Sequence, residues 1–122
     1  AVMKVVTNLF VNASTALLAE VILTGERAGL SHEAMAHCLP KGSVQGKMLD
    51  MSIGPLTERD FTARGAVEIF VKDMGIAIDL AKDNGIDLAV VPAARAMFQR
   101  AADAGWAKDD ATRVIEVYEG KA

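Results

Sequence analysis

Cysteine is nearly absent from this chain: Cys38 is the only one among 122 residues. A single cysteine cannot close an internal disulfide, and six methionines beside one free thiol are typical of a reducing compartment. We therefore expect a cytoplasmic protein.

Clusters of basic residues are also missing. The net charge is −3, and the lysines and arginines are dispersed among the acidic residues. Nucleic acids and anionic membranes attract concentrated positive charge, so we expect neither as a partner. The apolar run that follows Met3 is interrupted by Asn8, Asn12 and Glu20, which favours a structural helix over a signal peptide.

No window alternates apolar and polar residues for long enough to make a β-sheet. Apolar residues recur at helical spacing instead, with Gly29, Gly85 and Gly105 at the ends of three segments. The pattern predicts one all-α domain of about six helices, with a break around Gly54 and Pro55. The predicted helices cover residues 2 to 28, 31 to 39, 44 to 52, 66 to 84, 92 to 104 and 109 or 110 to 119.

Apolar residues are abundant for so small a domain, at 52% of the chain. A helical domain of this composition has more apolar surface than its own core can bury. We therefore expect another domain or a second subunit to cover part of it.

The predicted first helix is largely apolar but carries polar groups at positions i, i+4 and i+8, which are Lys4, Asn8 and Asn12. This spacing puts them along one side of the helix. Such a stripe either faces water or faces a ligand, and periodicity alone leaves both interpretations open.

A second polar pair, Lys72 and Asp73, lies in the long helix near residue 75. Glu68 and Lys72 are spaced for an ordinary surface ion pair, which is the simple interpretation. Gly75 argues against an ordinary exposed surface here. A glycine inside a helix costs about 1 kcal/mol relative to alanine and marks the close approach of another group.

Three familiar motifs are absent or incomplete. His32 and His37 are five residues apart, about 140° around a helix, so with Cys38 they do not form a metal site, and we expect no metal. Residues 42 to 48 are one residue short of a phosphate-binding loop. No G-x-G-x-x-G occurs, so this chain alone cannot cradle the pyrophosphate of a dinucleotide.

Several segments together resemble the all-helical C-terminal domain of the β-hydroxyacid dehydrogenases, the family of 3-hydroxyisobutyrate, tartronate semialdehyde and, more distantly, 6-phosphogluconate enzymes. Lys4-Val5-Val6-Thr7-Asn8 is similar to the family's K-x-x-x-N motif. The other similar segments follow in the family's order: residues 19 to 20, 27 to 30, 60 to 61, 70 to 75, 104 to 105 and 109 to 110. Two further segments, residues 66 to 73 and 114 to 118, most resemble the L-threonate dehydrogenase branch.

The resemblance implies a helical bundle like the C-terminal domain of 6-phosphogluconate dehydrogenase. It implies that residues 1 to 122 form a substrate-binding and dimerisation domain. It implies a Rossmann domain N-terminal to this chain that binds NAD or NADP, and a dimer or tetramer. Lys4 corresponds to the general acid/base, Asn8 to a substrate-binding residue and Lys72 to a lysine facing the cofactor. The implied activity is hydride transfer between a small 3-hydroxy acid and NAD(P), with this domain inactive by itself.

Two questions stay open from the sequence. Lys47 departs from the threonate branch, which has Ser-Trp near this position, so it either contacts a second anionic group of the substrate or is a solvated loop lysine. The chain as a whole could also be a helical association module that kept the fold and lost the chemistry. The sequence does not identify the substrate or choose between NAD and NADP.

Overall fold

The computed structural model describes residues 1–122 and contains six α-helices. They are α1 (Val2–Arg27), α2 (His32–Cys38), α3 (Lys47–Glu58), α4 (Val67–Asp83), α5 (Val90–Ala101) and α6 (Val114–Tyr118). Short 3-10 turns cover Leu39–Lys41 and Ala111–Arg113, and a π-helical turn covers Ala102–Trp106. An isolated bridge between Ala66 and Asp110 is the sole β pairing. The predicted all-α fold is confirmed.

Helix α1 is the centre of the bundle and packs against α3, α4, α5 and α6. Its buried residues begin at Asn12 and continue to Ile22, so its first turns contribute little to the core. The core around it is formed by fully buried side chains from the other helices, chiefly Leu56, Val67, Met74, Phe98, Val114 and Ile115.

The length and apolar composition of α1 would also allow it to cross a membrane. This criterion is weak for a single helix, because the central helix of a bundle has the same composition.

The predicted break at Gly54 and Pro55 is wrong. Both residues lie inside α3, which continues to Glu58. Leu49, Ile53 and Leu56 are buried along one face of this helix, so tertiary packing outweighs the local preference of glycine and proline.

Arg59 directly follows α3 as its C-terminal cap and has a left-handed backbone with φ 55°. Its guanidinium reaches two other helices: Nη2 lies 2.6 Å from Glu26 Oε1 of α1 and 3.3 Å from Glu119 Oε2 just after α6. All three side chains are less than a quarter exposed. This cluster fastens the C-terminal end of α1 to the rest of the bundle.

The start of α4 is held by the segment before α6. No side chain caps α4, but the backbone N–H groups of Val67 and Glu68 donate to the carbonyls of Asp109 and Ala107. These bonds satisfy two of the amides that a helix leaves free at its start. The position of α4, and of every side chain on it, therefore depends on the 107 to 111 segment.

Candidate functional site

Lys4 and Asn8 lie about 40° apart on one face of α1, as expected for residues one turn apart. Lys4 is exposed and Asn8 is half-buried. Neither side chain makes a hydrogen bond or an ion pair within the chain. The structure thus presents an ammonium and an amide, side by side, with no protein partner.

Asn12 differs from the other two residues of the predicted polar stripe. It is only 4% exposed, and its Nδ2 is the one buried side-chain polar atom without a hydrogen-bond partner. The interpretation of the stripe as a solvated face therefore fails at Asn12. A buried amide without a partner costs about 1–3 kcal/mol, which the packing around α1 must offset.

Lys72 lies on the exposed side of α4 with Ile69 and Ile76. Glu68 does not pair with it, because Glu68 Oε1 is 2.7 Å from Lys108 Nζ instead. The simple interpretation as an i, i+4 ion pair is therefore wrong, and the Lys72 ammonium has no partner. Helices α1 and α4 pack together, yet no hydrogen bond joins Lys72 to Lys4 or Asn8.

The close approach expected at Gly75 is confirmed, and the neighbour is Arg95 of α5. A Cβ at Gly75 would lie 3.3 Å from Arg95 Nη2. Arg95 Nε also donates to the carbonyl oxygen of Val71 at 2.9 Å. The missing side chain at Gly75 thus lets a guanidinium lie against α4, one turn beyond Lys72.

Asp110 organises the loop between α3 and α4. Its Oδ1 accepts the backbone N–H groups of Arg64 and Gly65 at 2.9 and 3.0 Å. Its Oδ2 accepts the backbone N–H and the hydroxyl of Thr112 at 3.2 and 2.6 Å. Burial, the largest influence, raises the pKa of Asp110, but the hydrogen bonds from Thr112, Gly65 and Arg64 together hold it below its ordinary value.

A cavity of about 340 Å³, which we call the α1/α3 cavity, opens beside this loop. It is bounded by α1, α3, the start of α4 and the segment around Asp110. Its walls include Val11 and Thr15, which continue the face of α1 that carries Lys4 and Asn8. Lys4, Asn8 and Lys72 do not themselves line it. Other lining residues are Lys47, Met48, Met51, Ser52, Pro55, Arg64 and Phe70.

A larger groove of about 940 Å³ runs between α1 and α5, on the opposite face of α1. We call it the α1/α5 groove, and its lining is largely apolar. Phe10, Leu17 and Val90 are 74%, 61% and 75% exposed along it. At one end, burial and the nearby Glu20 carboxylate raise the pKa of Tyr118 above its usual range.

Residues 1–118 match a family model described as "NAD-binding of NADP-dependent 3-hydroxyisobutyrate dehydrogenase". L-threonate dehydrogenase of Haemophilus influenzae is 30% identical over 120 residues, which cover 98% of this chain and 40% of that protein. For 2-(hydroxymethyl)glutarate dehydrogenase of Eubacterium barkeri the identity is 27% over 117 residues, covering 95% and 39%.

Solved structures also match this chain. The crystal structure of a 3-hydroxyisobutyrate dehydrogenase from Salmonella typhimurium matches with a TM-score of 0.89 and 30% identity, covering 95% of this chain and 41% of that one. A complex titled "Psf3 in complex with NADP+ and 2-OPP" shares the fold at 19% identity, with a TM-score of 0.80. The chain spans about two fifths of the length of these proteins. The description of the family model gives NAD or NADP as the family's cofactor. The chain belongs to the 3-hydroxyisobutyrate dehydrogenase family of β-hydroxyacid dehydrogenases.

Proposed function

We propose that this chain is the helical, substrate-binding part of an NAD(P)-dependent 3-hydroxyacid dehydrogenase in the cytoplasm. The observation that carries the proposal is the pair on α1: in a chain of this family, Lys4 and Asn8 share one face and neither has a protein partner. The relatives' greater length and the absence of G-x-G-x-x-G here support a separate Rossmann domain that holds most of the cofactor.

In the proposed reaction, the Lys4 amine takes the proton of the substrate hydroxyl as the C–H bond at the same carbon breaks, and the alcohol becomes a carbonyl. Bound NAD(P) supplies the hydride acceptor. A lysine amine in a partly desolvated cleft can exchange a proton with a substrate in this way. The reverse reaction returns the proton from Lys4 to the carbonyl oxygen.

Asn8 is the proposed substrate-binding residue. Its amide can donate and accept hydrogen bonds without adding charge, and it lies one turn from Lys4. It would therefore hold the hydroxy acid with its reacting carbon beside the lysine, which is a positioning effect.

Lys72 is the proposed cofactor-binding residue. The free ammonium on the exposed face of α4 fits an anionic dinucleotide, although the chain lacks a loop for its pyrophosphate. Arg95, held against α4 at Gly75, adds a second positive charge on α5 near this helix.

The test is NAD(P)-dependent oxidation of a panel of 3-hydroxy acids by the full-length protein that carries this sequence. We expect Lys4→Ala to lower kcat by about 10² to 10⁴-fold, the usual range for removing a general acid or base. Asn8→Ala should mainly raise KM for the acid, and Lys72→Ala should raise KM for the cofactor. Lys82→Ala, which removes another exposed lysine on α4, is the matched control.

The second candidate function is a non-catalytic association module that uses the α1/α5 groove. A dimer fits both candidate functions, so the Lys4 variant, and not dimerisation, separates them. The groove offers Phe10, Leu17 and Val90 to a partner, and we propose a second copy of the chain as the occupant, because two copies of α1 can pair this apolar stripe about a two-fold axis. Phe10→Glu should then lower the molar mass measured by light scattering. If Lys4→Ala stays within threefold of the Lys82→Ala control, the association module is the better description.

A further inference from the structure

Asn12 is a costly residue for the buried face of α1. It is only 4% exposed, and its Nδ2 has no hydrogen-bond partner. The other buried polar side chains, those of Thr15, Thr57, Asp110 and Thr112, all take part in hydrogen bonds. Asparagine is also a weaker helix former than leucine, which would fill a buried position without leaving a polar group unpaired. A residue that weakens both helix and core indicates a role other than stability.

An asparagine in a helix can satisfy its amide through the backbone of the same helix. Asn84 does so at the end of α4, where its Nδ2 donates to the carbonyl of Leu80, four residues earlier, at 2.9 Å. Asn12 makes no such bond to the carbonyl of Asn8. The amide hydrogens of Asn12 are therefore available to another acceptor.

Asn12 is the inner end of the polar line on α1. Lys4 is exposed, Asn8 is half-buried and Asn12 is buried, so the line runs from water into the core over two turns. A helical side chain leans toward the N-terminus of its helix, over the residues three and four positions earlier. For Asn12 these are Leu9 and Asn8, and only Asn8 has a side-chain acceptor. Its Oδ1 is therefore the acceptor on α1 toward which the Asn12 amide leans.

Asn12 is not a wall of either large cavity, whereas Asn8 lies nearer the surface. Asn12 lines neither the α1/α3 cavity nor the α1/α5 groove, so we do not assign it a direct contact with a ligand. Asn8 is half-buried, and its side chain makes no hydrogen bond within the chain. An asparagine can turn either its oxygen or its NH₂ group toward a substrate, and a neighbouring donor decides which.

We propose that Asn12 is a positioning residue that acts through Asn8. When the hydroxy acid binds, Nδ2 of Asn12 donates to Oδ1 of Asn8, and Asn8 turns its own NH₂ group toward the carboxylate of the acid. A carboxylate only accepts hydrogen bonds, so the oxygen of Asn8 in that place would repel it. This inference rests on the proposed function, since Asn8 is the substrate-binding residue of that proposal.

The first experiment measures kcat and KM of the full-length protein for L-threonate and 3-hydroxyisobutyrate. We expect Asn12→Leu to raise KM for the acid about tenfold, the value of one hydrogen bond, with a smaller effect on kcat. Asn12→Ala removes the same donor without adding volume and should raise KM similarly. Thr57→Val is the matched control: it removes a buried hydroxyl that donates to the carbonyl of Ile53, and KM should stay within about twofold of the wild type.

A double variant tests whether Asn12 acts through Asn8. Without the side chain of Asn8 there is nothing for Asn12 to orient. Asn12→Leu should therefore raise KM by less than about twofold in the Asn8→Ala background, because the effects of two residues in one network are not additive. The same tenfold rise in both backgrounds would overturn the positioning role.

Thermal unfolding of the 122-residue chain separates this role from a structural one. Because Asn12→Leu removes an unpaired buried amide, we expect it to raise Tm by about 4 °C while it weakens substrate binding. A lower Tm with an unchanged KM would show that Asn12 serves the bundle alone and would overturn the inference.

The Lys4→Ala variant separates this inference from the proposed function. If the wild type oxidises an acid, Lys4→Ala does not, and Asn12→Leu has the KM of the wild type, then the positioning role fails and the proposed function stands. If the wild type oxidises no acid of the panel, both fail.

Discussion

Removing the Asp110 carboxylate should destabilise the domain more than any surface change near it. Four donors converge on this buried side chain, and three of them are backbone N–H groups at 64, 65 and 112. A hydrogen bond to a charged group contributes about 1.5–3 kcal/mol, but water reaches the exposed Arg64 loop and replaces part of it. We expect Asp110→Ala to lower the free energy of unfolding by about 3–5 kcal/mol.

Asp110→Asn gives a finer test, because one side-chain oxygen can still accept the N–H groups of Arg64 and Gly65. Its NH₂ group would face the two Thr112 donors, so we expect a loss of about 1–3 kcal/mol. Asp109→Ala is the adjacent control: its Oδ2 contacts Arg113 Nη1 at 2.7 Å and its side chain is 37% exposed, so its loss should be below about 1 kcal/mol.

Urea unfolding followed by circular dichroism measures all three variants, with the slope m checked for two-state behaviour. The reasoning is refuted if Asp110→Ala falls within 1 kcal/mol of Asp109→Ala. The pH dependence adds a second check. Because the pKa of Asp110 is lower in the folded state, its contribution is full above the unfolded pKa of about 3.9 and disappears as pH falls through the folded value. The stability gap between wild type and Asp110→Asn should therefore narrow below about pH 4.

Arg59→Ala should lower the free energy of unfolding by about 2 kcal/mol, since it leaves the Glu26 carboxylate largely buried without its main partner. The pKa of Glu26 is lowered chiefly by its hydrogen bond to Arg59, so this stabilisation is full above about pH 4.5. It is lost as pH falls through the lowered pKa, and urea unfolding at a series of acidic pH values measures that loss. Gly25→Ala should destabilise by about 1–2 kcal/mol in thermal melts, because the new Cβ would lie 2.5 Å from Sδ of the buried Met35. Gly54→Ala meets no atom within 4 Å and should stabilise by up to about 1 kcal/mol, so a loss there would contradict the helix interior assigned to this position.

Local patterns predicted most of the fold. Glycines at helix ends and apolar periodicity located α1, α2 and α4 to within about two residues. Asp110, one of the two residues at which the last helical segment was predicted to begin, is the N-terminal cap of the turn before α6. The break at Gly54 and Pro55 failed because buried neighbours on α3 outweigh local preference, and no short sequence window contains those neighbours.

In the candidate site too, local sequence predicts some features and long-range packing determines the others. Lys4 and Asn8 share a face because they share a helix, and the spacing i, i+4 is enough to predict it. Two of the partners of Asp110, the backbone N–H groups of Arg64 and Gly65, are about 45 residues away, and the pairing of Glu68 with Lys108 spans 40 residues. Such contacts follow from how the helices pack, so no local pattern indicates them, and the i, i+4 spacing pointed to Lys72 as the partner of Glu68.

The two ends of α1 differ in how firmly the domain holds them. The C-terminal end is fastened through Glu26 and Arg59, whereas the turns that carry Lys4 and Asn8 precede the first buried residue, Asn12. Amide hydrogens near residues 5 to 9 should thus exchange with solvent much faster than those near 16 to 22. We therefore expect the segment that carries the proposed acid/base lysine to fray unless another domain or subunit docks against it. The alignment of Lys4 for chemistry would then depend on the docked assembly rather than on this bundle.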